Sequence, residues 1–446
     1  MIPAARWLRG LVSAPAMPDA CRHTYRRHMA YSLLDAATKG ILANAPVMAI
    51  KGMGSPDWQM SLQLSISSIG MFVVLYLGGR MASAHKKPYV LVPGFGYAST
   101  AFAMACTSDV LLFLIIFGLG ALFDVLTRPA LTAIIRLNYP ATHRGAVTGE
   151  IRRWFSLVFL GAGLLAAWLL DLVAENPGMM INSLMIVAGV LSLASLLVFK
   201  TIKVQETQEK LSQQPRHSPW QHFAEALSIL KRNRRFRRYL VWAFVYAFGG
   251  LLYVSFIPVF LVKELDYGYT ASSLFTHIIP SLVAFAMTGI IGRWIDTVST
   301  WKAWAVIRLG WGLDPLILAA TPIVMLVFPP AAVLLPLFGR LIRGSVMGGS
   351  WILWWQIAVN HFAPPGGDTT RYMGIIFFMN GTARLLAPLA GAALLQIGSV
   401  QLLFVIGGVM ILTTSVVSLL EYEREKRDEH LSTMADFEDS FNSAAQ

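Results

Sequence analysis

Two acid–base pairs lie inside strongly apolar stretches of the sequence. In "SLLDAATKG" Asp35 precedes Lys39 by four residues, and in "DVLTR" Asp124 precedes Arg128 by the same spacing. Side chains four residues apart share one face of a helix, and the order acid before base is the more stabilising one. A carboxylate held by a neighbouring cation changes its proton affinity when that cation moves away. Both pairs are therefore candidates for proton coupling or gating.

The second half of the chain carries further charges in apolar stretches, namely Arg308, Asp314, Arg340, Arg343 and Arg384. An ionised side chain at the centre of a bilayer costs about 2.5–3.5 kcal/mol, so it normally faces a polar interior and finds a partner. We interpret Asp314 and Arg384 as structural charge pairs. Because the basic groups within the apolar stretches outnumber the acidic ones, the excess needs a counterion, and we expect a negatively charged substrate to supply it. The fork of Arg343 suits a carboxylate or a phosphate ester.

The composition predicts a membrane protein that is not an enzyme. Of the 446 residues, 56% are hydrophobic and 13% are charged, whereas a soluble domain usually has about a quarter of its residues charged. The sequence contains no phosphate-binding G-x-x-x-x-G-K-[ST] loop, no H-E-x-x-H zinc motif and no G-x-S-x-G nucleophile elbow. We therefore expect no catalytic residues, no metal site and no cofactor. Cys21 and Cys106 predict no disulfide framework.

Apolar runs about 20 residues long, the length that spans a bilayer core as a helix, recur along the chain. We predict twelve spans, at 29–50, 58–79, 88–106, 110–135, 154–173, 178–199, 239–262, 271–292, 303–326, 331–358, 373–396 and 400–420. With the N-terminus inside, the outer loops hold only Lys51 and Lys263, and most other basic residues are cytoplasmic, as the positive-inside rule requires. The net charge of +12 is then a topology signal and a contact for anionic lipids, and no nucleic-acid partner is expected.

The spans divide the chain into five predicted segments. They are a basic cytoplasmic leader (1–28), an N-terminal six-helix bundle (29–199), a cytoplasmic linker with an amphipathic helix (200–238), a C-terminal six-helix bundle (239–420) and a polar cytoplasmic tail (421–446). We expect a monomer in the bacterial inner membrane with both termini in the cytoplasm.

The two halves of the sequence repeat each other. "YRRHM" at 25–29 matches "FRRYL" at 236–240, and "PVMAIK" at 46–51 matches "PVFLVK" at 258–263 with nearly the same offset. Pro46 and Pro258, which begin the second pair of motifs, predict kinks near the outer ends of spans 1 and 7. Six-plus-six parallel repeats are a transporter architecture with the substrate site at mid-membrane between the halves.

Partial family motifs accompany this repeat. "GRMASAHKK" keeps Gly79, Lys86 and Lys87 of a loop signature between spans 2 and 3, with Ser83 in place of its aspartate, and "RGAVTG" at 144–149 resembles the start of a fifth span. Over residues 25–420 the chain resembles the major facilitator superfamily, although no motif is intact and the subfamily is not identified. The resemblance implies an all-α polytopic membrane protein with twelve transmembrane helices in two six-helix pseudo-symmetric bundles.

In that family spans 1, 4, 7 and 10 line a central cavity, so the resemblance implies which residues could contact substrate. The substrate-binding candidates on these four spans are Lys39, Asn44, Arg128, Tyr246, Tyr253, Arg343 and Trp354, and Asn380 of span 11 is a further candidate. The candidates for proton coupling or gating are Asp35, Asp124 and His277, and Glu150 with Arg153 is a further structural charge pair.

The two charged pairs lie at matching depths, and because spans 1 and 4 both line the cavity in that family, the resemblance implies that the pairs can meet. Counting 1.5 Å per helical residue along antiparallel helices places Lys39 beside Asp124, and Asp35 beside Arg128. One interpretation is a neutral network of four charges that rearranges during transport. The alternative is that each pair is satisfied within its own helix and only stabilises the fold.

We expect secondary active transport of a small solute by alternating access, with an organic anion and protons as the favoured substrate and coupling ion. One alternative is a facilitator without ion coupling, in which Asp35 is structural. The other, from a different class, is a signalling or assembly factor that kept the fold and lost transport.

Overall fold

The computed structural model describes residues 19–82, 84–140, 143–204, 228–353, 362 and 369–444. Across these residues the secondary structure is helical. The long helices are α1 (Asp19–Leu42), α2 (Met60–Ala82), α3 (Pro88–Ala105), α4 (Val110–Asn138), α5 (Arg144–Leu172), α6 (Gly178–Lys200), α7 (Arg234–Val254), α8 (Ile279–Ile295), α9 (Thr300–Met325), α10 (Ala331–Ile352), α11 (Thr369–Leu395) and α12 (Val400–Ala444). This order confirms the predicted all-α class.

Ten helical stretches in the described part of the chain are long and apolar enough to cross a membrane. Helices α2 and α3 are not among the ten, although they occupy the second and third predicted spans. Apolar side chains such as Val92, Leu197 and Ile323 lie largely exposed on the outside of the helices. An apolar exterior of this kind is what a hydrocarbon environment requires.

The chain forms two compact units. The first comprises Met1–Gln221 with Leu261–Ile278, and the second comprises His222–Phe260 with Ile279–Gln446. In the first unit α1 packs on α5 and α6, α3 packs on α4 and α6, and α2 packs on α4. In the second unit α7 packs on α11 and α12, α9 packs on α10 and α12, and α8 packs on α10. Each pairing in one unit has its counterpart six helices later in the other, so the repeat seen in the sequence is also a structural repeat.

The repeat extends to two irregular turns that begin at equivalent prolines. After α1 ends, Pro46 lies in the one-turn helix Ala45–Val47, which leads into the π-helical segment Met48–Gly52. After α7 ends, Pro258 lies in the one-turn helix Ile257–Val259, which leads into a second π-helical segment. Proline lacks a backbone N–H, and its ring clashes with the carbonyl group four residues earlier, so it disfavours the interior of a helix. It is accepted in the first turn, where that N–H would have no intrahelical partner. The sequence predicted a kink at each proline, and the structure has an interruption of the helix just before each of them.

Capping side chains begin several of the helices. The carboxylate of Asp109 accepts a hydrogen bond from the Leu112 N–H at 2.7 Å at the start of α4. The side chain of Asn233 accepts one from the Phe236 N–H at 2.9 Å at the start of α7. Each cap satisfies a backbone donor that lacks an intrahelical acceptor.

Two terminal segments differ in extent from the predicted spans. Helix α1 begins at Asp19, within the predicted leader, and α12 continues through the polar tail to Ala444. Most of the predicted amphipathic linker helix lies outside the described residues, which resume at residue 228 in a short helical stretch.

Candidate functional site

Lys39 is the centre of a charged cluster in the first unit. Its Nζ lies 2.7 Å from Asp35 Oδ2 on α1 and 2.7 Å from Asp124 Oδ1 on α4. The second carboxylate oxygen of Asp124 lies 2.7 Å from Arg128 Nη2 and accepts a further bond from Arg128 Nε at 3.2 Å. Both predicted intrahelical pairs are therefore present, and one ion pair joins them across the two helices. The four formal charges of the cluster cancel.

The two carboxylates differ in how many cations they contact. Asp124 lies between Lys39 and Arg128, whereas the ion pair of Asp35 is with Lys39 alone among the described residues. Asp35 and Asp124 both line a small cavity of about 20 Å³. The hydroxyl-bearing residues that share this lining are Tyr31, Tyr97, Thr127, Ser192 and Ser195. A polar space of this size admits about one water molecule.

Aromatic rings surround the ammonium of Lys39. The Nζ atom lies 5.9 Å from the centroid of the Tyr97 ring on α3 and 6.0 Å from that of Phe155 on α5. At these distances the negative face of an aromatic ring attracts a cation. Arg128 is the most exposed residue of the cluster, with 62% of its side chain exposed.

Asn44 and His277, also in the first unit, contact backbone carbonyl groups. Asn44 is almost fully buried and donates from Nδ2 to the Gly163 carbonyl at 2.9 Å, which ties the end of α1 to α5. His277 Nε2 lies 3.1 Å from the carbonyl oxygen of Ala43, one residue before Asn44. In this structure both side chains thus hold the region where α1 is interrupted.

Glu150 and Arg153 form an ion pair within α5. Arg153 Nη2 lies 2.6 Å from Glu150 Oε1, and the same oxygen accepts a hydrogen bond from Trp154 Nε1 at 2.7 Å. The carboxylate of Glu150 is therefore held by neighbours on its own helix.

The second unit contains a buried cluster around Asp314 of α9. Arg340 Nη2 of α10 lies 2.5 Å from Asp314 Oδ1, with side-chain exposures of 1% and 0%. Arg343, one turn further along α10, lies 3.4 Å from Asp314 Oδ2 and is 12% exposed. One carboxylate thus faces two guanidinium groups, so the cluster carries a net positive charge. Arg343 has the longer contact and the greater exposure of the two.

Two tyrosines of α7 join this region. Tyr253 donates its hydroxyl proton to Asp314 Oδ2 at 3.3 Å and accepts a bond from Arg343 Nη1 at 3.3 Å. Tyr246, two turns earlier, lies 3.3 Å from the hydroxyl of Ser350 on α10. The guanidinium carbon of Arg343 lies 4.6 Å from the centroid of the Trp311 ring on α9. Hydrogen bonds and a ring face therefore orient the fork of Arg343.

Three other predicted site residues are Asn380, Arg384 and Trp354. Asn380 and Arg384 are half-buried on α11, and Trp354 lies outside the described residues. Sequence reasoning gave Trp311 no role, although Trp304, Arg308 and Trp311 recur at helical spacing on α9. This repeated spacing of aromatic and basic residues is the feature of the sequence that could have indicated a role for Trp311.

The comparisons with known proteins agree with this architecture. The family model described as Major Facilitator Superfamily matches residues 29–366. The chain matches no curated protein sequence.

Several solved structures share the fold. The crystal structure of the nucleoside transporter NupG aligns with a TM-score of 0.66 and 14% sequence identity, covering 90% of this chain and 99% of that one. A POT family transporter in complex with a thioalcohol-conjugated peptide aligns with a TM-score of 0.69 and 10% identity, covering 92% and 98%. A D-xylose–proton symporter aligns with a TM-score of 0.62 and 14% identity, covering 88% and 96%. At these identities the likeness concerns the fold. With the family match over most of its length, the chain belongs to the major facilitator superfamily, as its partial motifs predicted.

Proposed function

We propose that this protein is a secondary transporter that moves a small organic anion together with protons by alternating access. The observation that carries the proposal is the buried cluster of Asp314, Arg340 and Arg343, in which two guanidinium groups share one carboxylate. A buried surplus of positive charge is unfavourable unless an anion compensates it. A carboxylate or phosphate group of the substrate would supply that anion.

Arg343 is the residue best suited to receive the substrate. Arg340 is almost fully buried and holds Asp314 at 2.5 Å, so it acts as the fixed partner. Arg343 makes a longer contact of 3.4 Å and retains some exposure. Because its guanidinium has five N–H donors, Arg343 can bind an arriving oxyanion with those that do not face Asp314 or Tyr253.

Asp35 is the better of the two carboxylates in the first unit for carrying a proton. Asp124 contacts two cations, and its neutralisation would leave both Lys39 and Arg128 short of negative charge. Neutralisation of Asp35 leaves Lys39 still paired with Asp124. Asp35 also borders the small cavity, through which a water molecule can deliver the proton.

An uncoupled facilitator is the second candidate. The observation that favours it is the 2.7 Å bond between Asp35 and Lys39 of the same helix, which satisfies the carboxylate locally. In a facilitator this bond would persist through the whole cycle, and a pH gradient would not drive accumulation of solute.

The test is uptake into proteoliposomes of a panel of radiolabelled carboxylates and phosphate esters, alongside neutral and cationic solutes. We expect an anion to accumulate when the outside is acidic and to stop accumulating when a protonophore collapses the gradient. Equilibration without accumulation would identify a facilitator. Preference for neutral or cationic solutes would contradict the anion proposal, and absence of flux for the whole panel would favour a non-transporting factor.

A matched pair of variants links the flux to the cluster. Arg343→Gln removes the proposed anion ligand, so we expect uptake of the anion to fall at least tenfold. Lys302→Gln removes an exposed charge at the start of α9 and is expected to leave uptake unchanged. Equal effects of the two substitutions would show that Arg343 has no special role.

We further expect the protein to be a monomer in a bacterial membrane, with both termini in the cytoplasm. Cysteine labelling from either side of the membrane would test the position of the termini.

A further inference from the structure

Arg308 of α9 is a fully buried arginine, with 0% of the residue exposed. Its Nη1 donates to the Thr414 carbonyl at 3.2 Å and to the Ser418 hydroxyl at 2.8 Å, both on α12. Neither acceptor carries a negative charge. Arginine stays protonated in proteins, so the positive charge of Arg308 persists inside the second unit.

No carboxylate within the described residues forms an ion pair with Arg308. The phenols of Tyr239 and Tyr246 lie close enough to its guanidinium to act on it electrostatically. The guanidinium carbon lies 4.8 Å from the centroid of the Trp304 ring and 5.4 Å from that of Tyr246. Ring faces attract a cation, but they compensate a fully buried charge only in part. Arg340 of the same unit differs because it has Asp314 as a counterion.

Unpaired donors lie around this charge. Four buried polar atoms have no hydrogen-bond partner among the residues that the structure describes, namely Arg308 Nε, Arg308 Nη2, Trp311 Nε1 and the Tyr239 hydroxyl. Trp311 follows Arg308 by three residues on the same face of α9. The Tyr246 ring lies near both residues, with its centroid 6.3 Å from that of Trp311. Buried polar groups are nearly always satisfied, and an unsatisfied one in a native protein commonly marks an unseen water or ion.

The buried charge of Arg308 and the unpaired donors around it favour the same kind of ligand. The indole N–H and the guanidinium N–H groups can only donate. A water molecule would accept from one or two of them but would leave the positive charge uncompensated. A small anion accepts from several donors at once and neutralises the charge.

We infer that a chloride-sized anion binds beside Arg308 in the second unit, held by the guanidinium of Arg308 and the indole N–H of Trp311. This anion is distinct from the proposed transport substrate, whose ligand is Arg343, and its site needs no transport to exist. Binding of the anion would stabilise the packing of α9 on α12 and so make the stability of the protein depend on chloride.

The test measures the thermal unfolding midpoint, Tm, of purified protein in a series that replaces sodium gluconate with sodium chloride at constant ionic strength. A ligand that binds only the folded state raises Tm with its concentration, so we expect a saturable rise. Arg308→Gln is expected to abolish this dependence on chloride, and Trp311→Phe to shift it to higher concentration. Lys302→Gln, on the same helix but exposed, is expected to retain the wild-type dependence.

A general salt effect is separated by a parallel series with sodium sulfate, which stabilises folded proteins without a specific site. Equal rises with sulfate and chloride, or a chloride dependence that survives in Arg308→Gln, would overturn the inference. Because Arg308→Gln can fail to fold, equilibrium dialysis of the wild-type protein with ³⁶Cl⁻ gives a second measurement. We expect saturable binding of one anion per chain in gluconate buffer, and absence of saturable binding would overturn the inference by itself.

Discussion

The ammonium of Lys39 lies 2.7 Å from the carboxylate of Asp124, and this ion pair joins two helices whose main packing partners differ. Helix α1 packs on α5 and α6, whereas α4 packs on α2 and α3. The pair therefore links two layers of the first unit through a polar contact that water or a proton can loosen. A link of this kind is a suitable place for a conformational change to be coupled to charge.

Exchanging the two charges tests whether this contact matters for transport. Lys39→Asp alone gathers three carboxylates, and Asp124→Lys alone gathers three cations, so we expect each single variant to lose uptake. The double variant restores opposite charges across α1 and α4 and is expected to recover part of the uptake in proteoliposomes. As a control, exchanging Glu150 and Arg153 within α5 should have little effect. A double variant no more active than the poorer single variant would show that the contact is dispensable.

Neutralising each carboxylate separately tests the assignment of the proton. Asp35→Asn imitates the protonated side chain and leaves Lys39 paired with Asp124. We therefore expect it to retain exchange of labelled for unlabelled substrate and to lose accumulation driven by a pH gradient. Asp124→Asn leaves Lys39 and Arg128 with one carboxylate between them, so both activities should fall. If Asp35→Asn still accumulated substrate in response to the gradient, Asp35 would not be the proton carrier.

Much of this arrangement was predictable because it depends on position along one helix. The spacing of Asp35 and Lys39 determines that they share a face of their helix, and Pro46 cannot donate the backbone hydrogen bond that a helix interior requires. Counting residues along two antiparallel helices placed Lys39 at the depth of Asp124, where the ion pair is found. The same count placed Asp35 beside Arg128, and these two residues form no ion pair among the described residues. These are properties of short segments, and the repeat supplied the order of the helices.

Contacts that depend on the rotation of one helix against another were not predictable. The sequence indicated that Asp314 and Arg343 lie in the membrane, but not that Asp314 faces α10. Nor did it indicate that the Asn44 amide donates to the Gly163 carbonyl of α5. Periodicity identifies the polar face of a helix but does not say which neighbour that face meets. The surroundings of Arg308 are hidden for the same reason.

Removing the shared counterion in the second unit is expected to destabilise the protein. Asp314→Asn leaves Arg340 fully buried without a negative partner, and breaking a buried ion pair from one side costs about 3–5 kcal/mol. We expect a marked fall in the Tm of Asp314→Asn. The double variant Asp314→Asn with Arg340→Met should recover part of this loss, because it no longer contains the unpaired charge of Arg340. Asp296→Asn, exposed after α8, is the matched control. An unchanged Tm in Asp314→Asn would show that the pair contributes nothing to stability.

The contact between α1 and α5 depends on two glycines, and this dependence can be tested with a neighbouring glycine as control. A methyl group at Gly40 would lie 3.0 Å from the backbone nitrogen of Gly163 and closer still to the carbonyl oxygen of Phe159. Since these are backbone atoms, the helices must separate, and we expect Gly40→Ala to cost about 1–3 kcal/mol and to lower Tm. A methyl group at Gly161, also on α5, meets nothing within 4 Å. Gly161→Ala should therefore keep or slightly raise Tm, because alanine favours the helix over glycine by about 1 kcal/mol. Equal Tm values for the two variants would mean that the close approach of the helices is not required for stability.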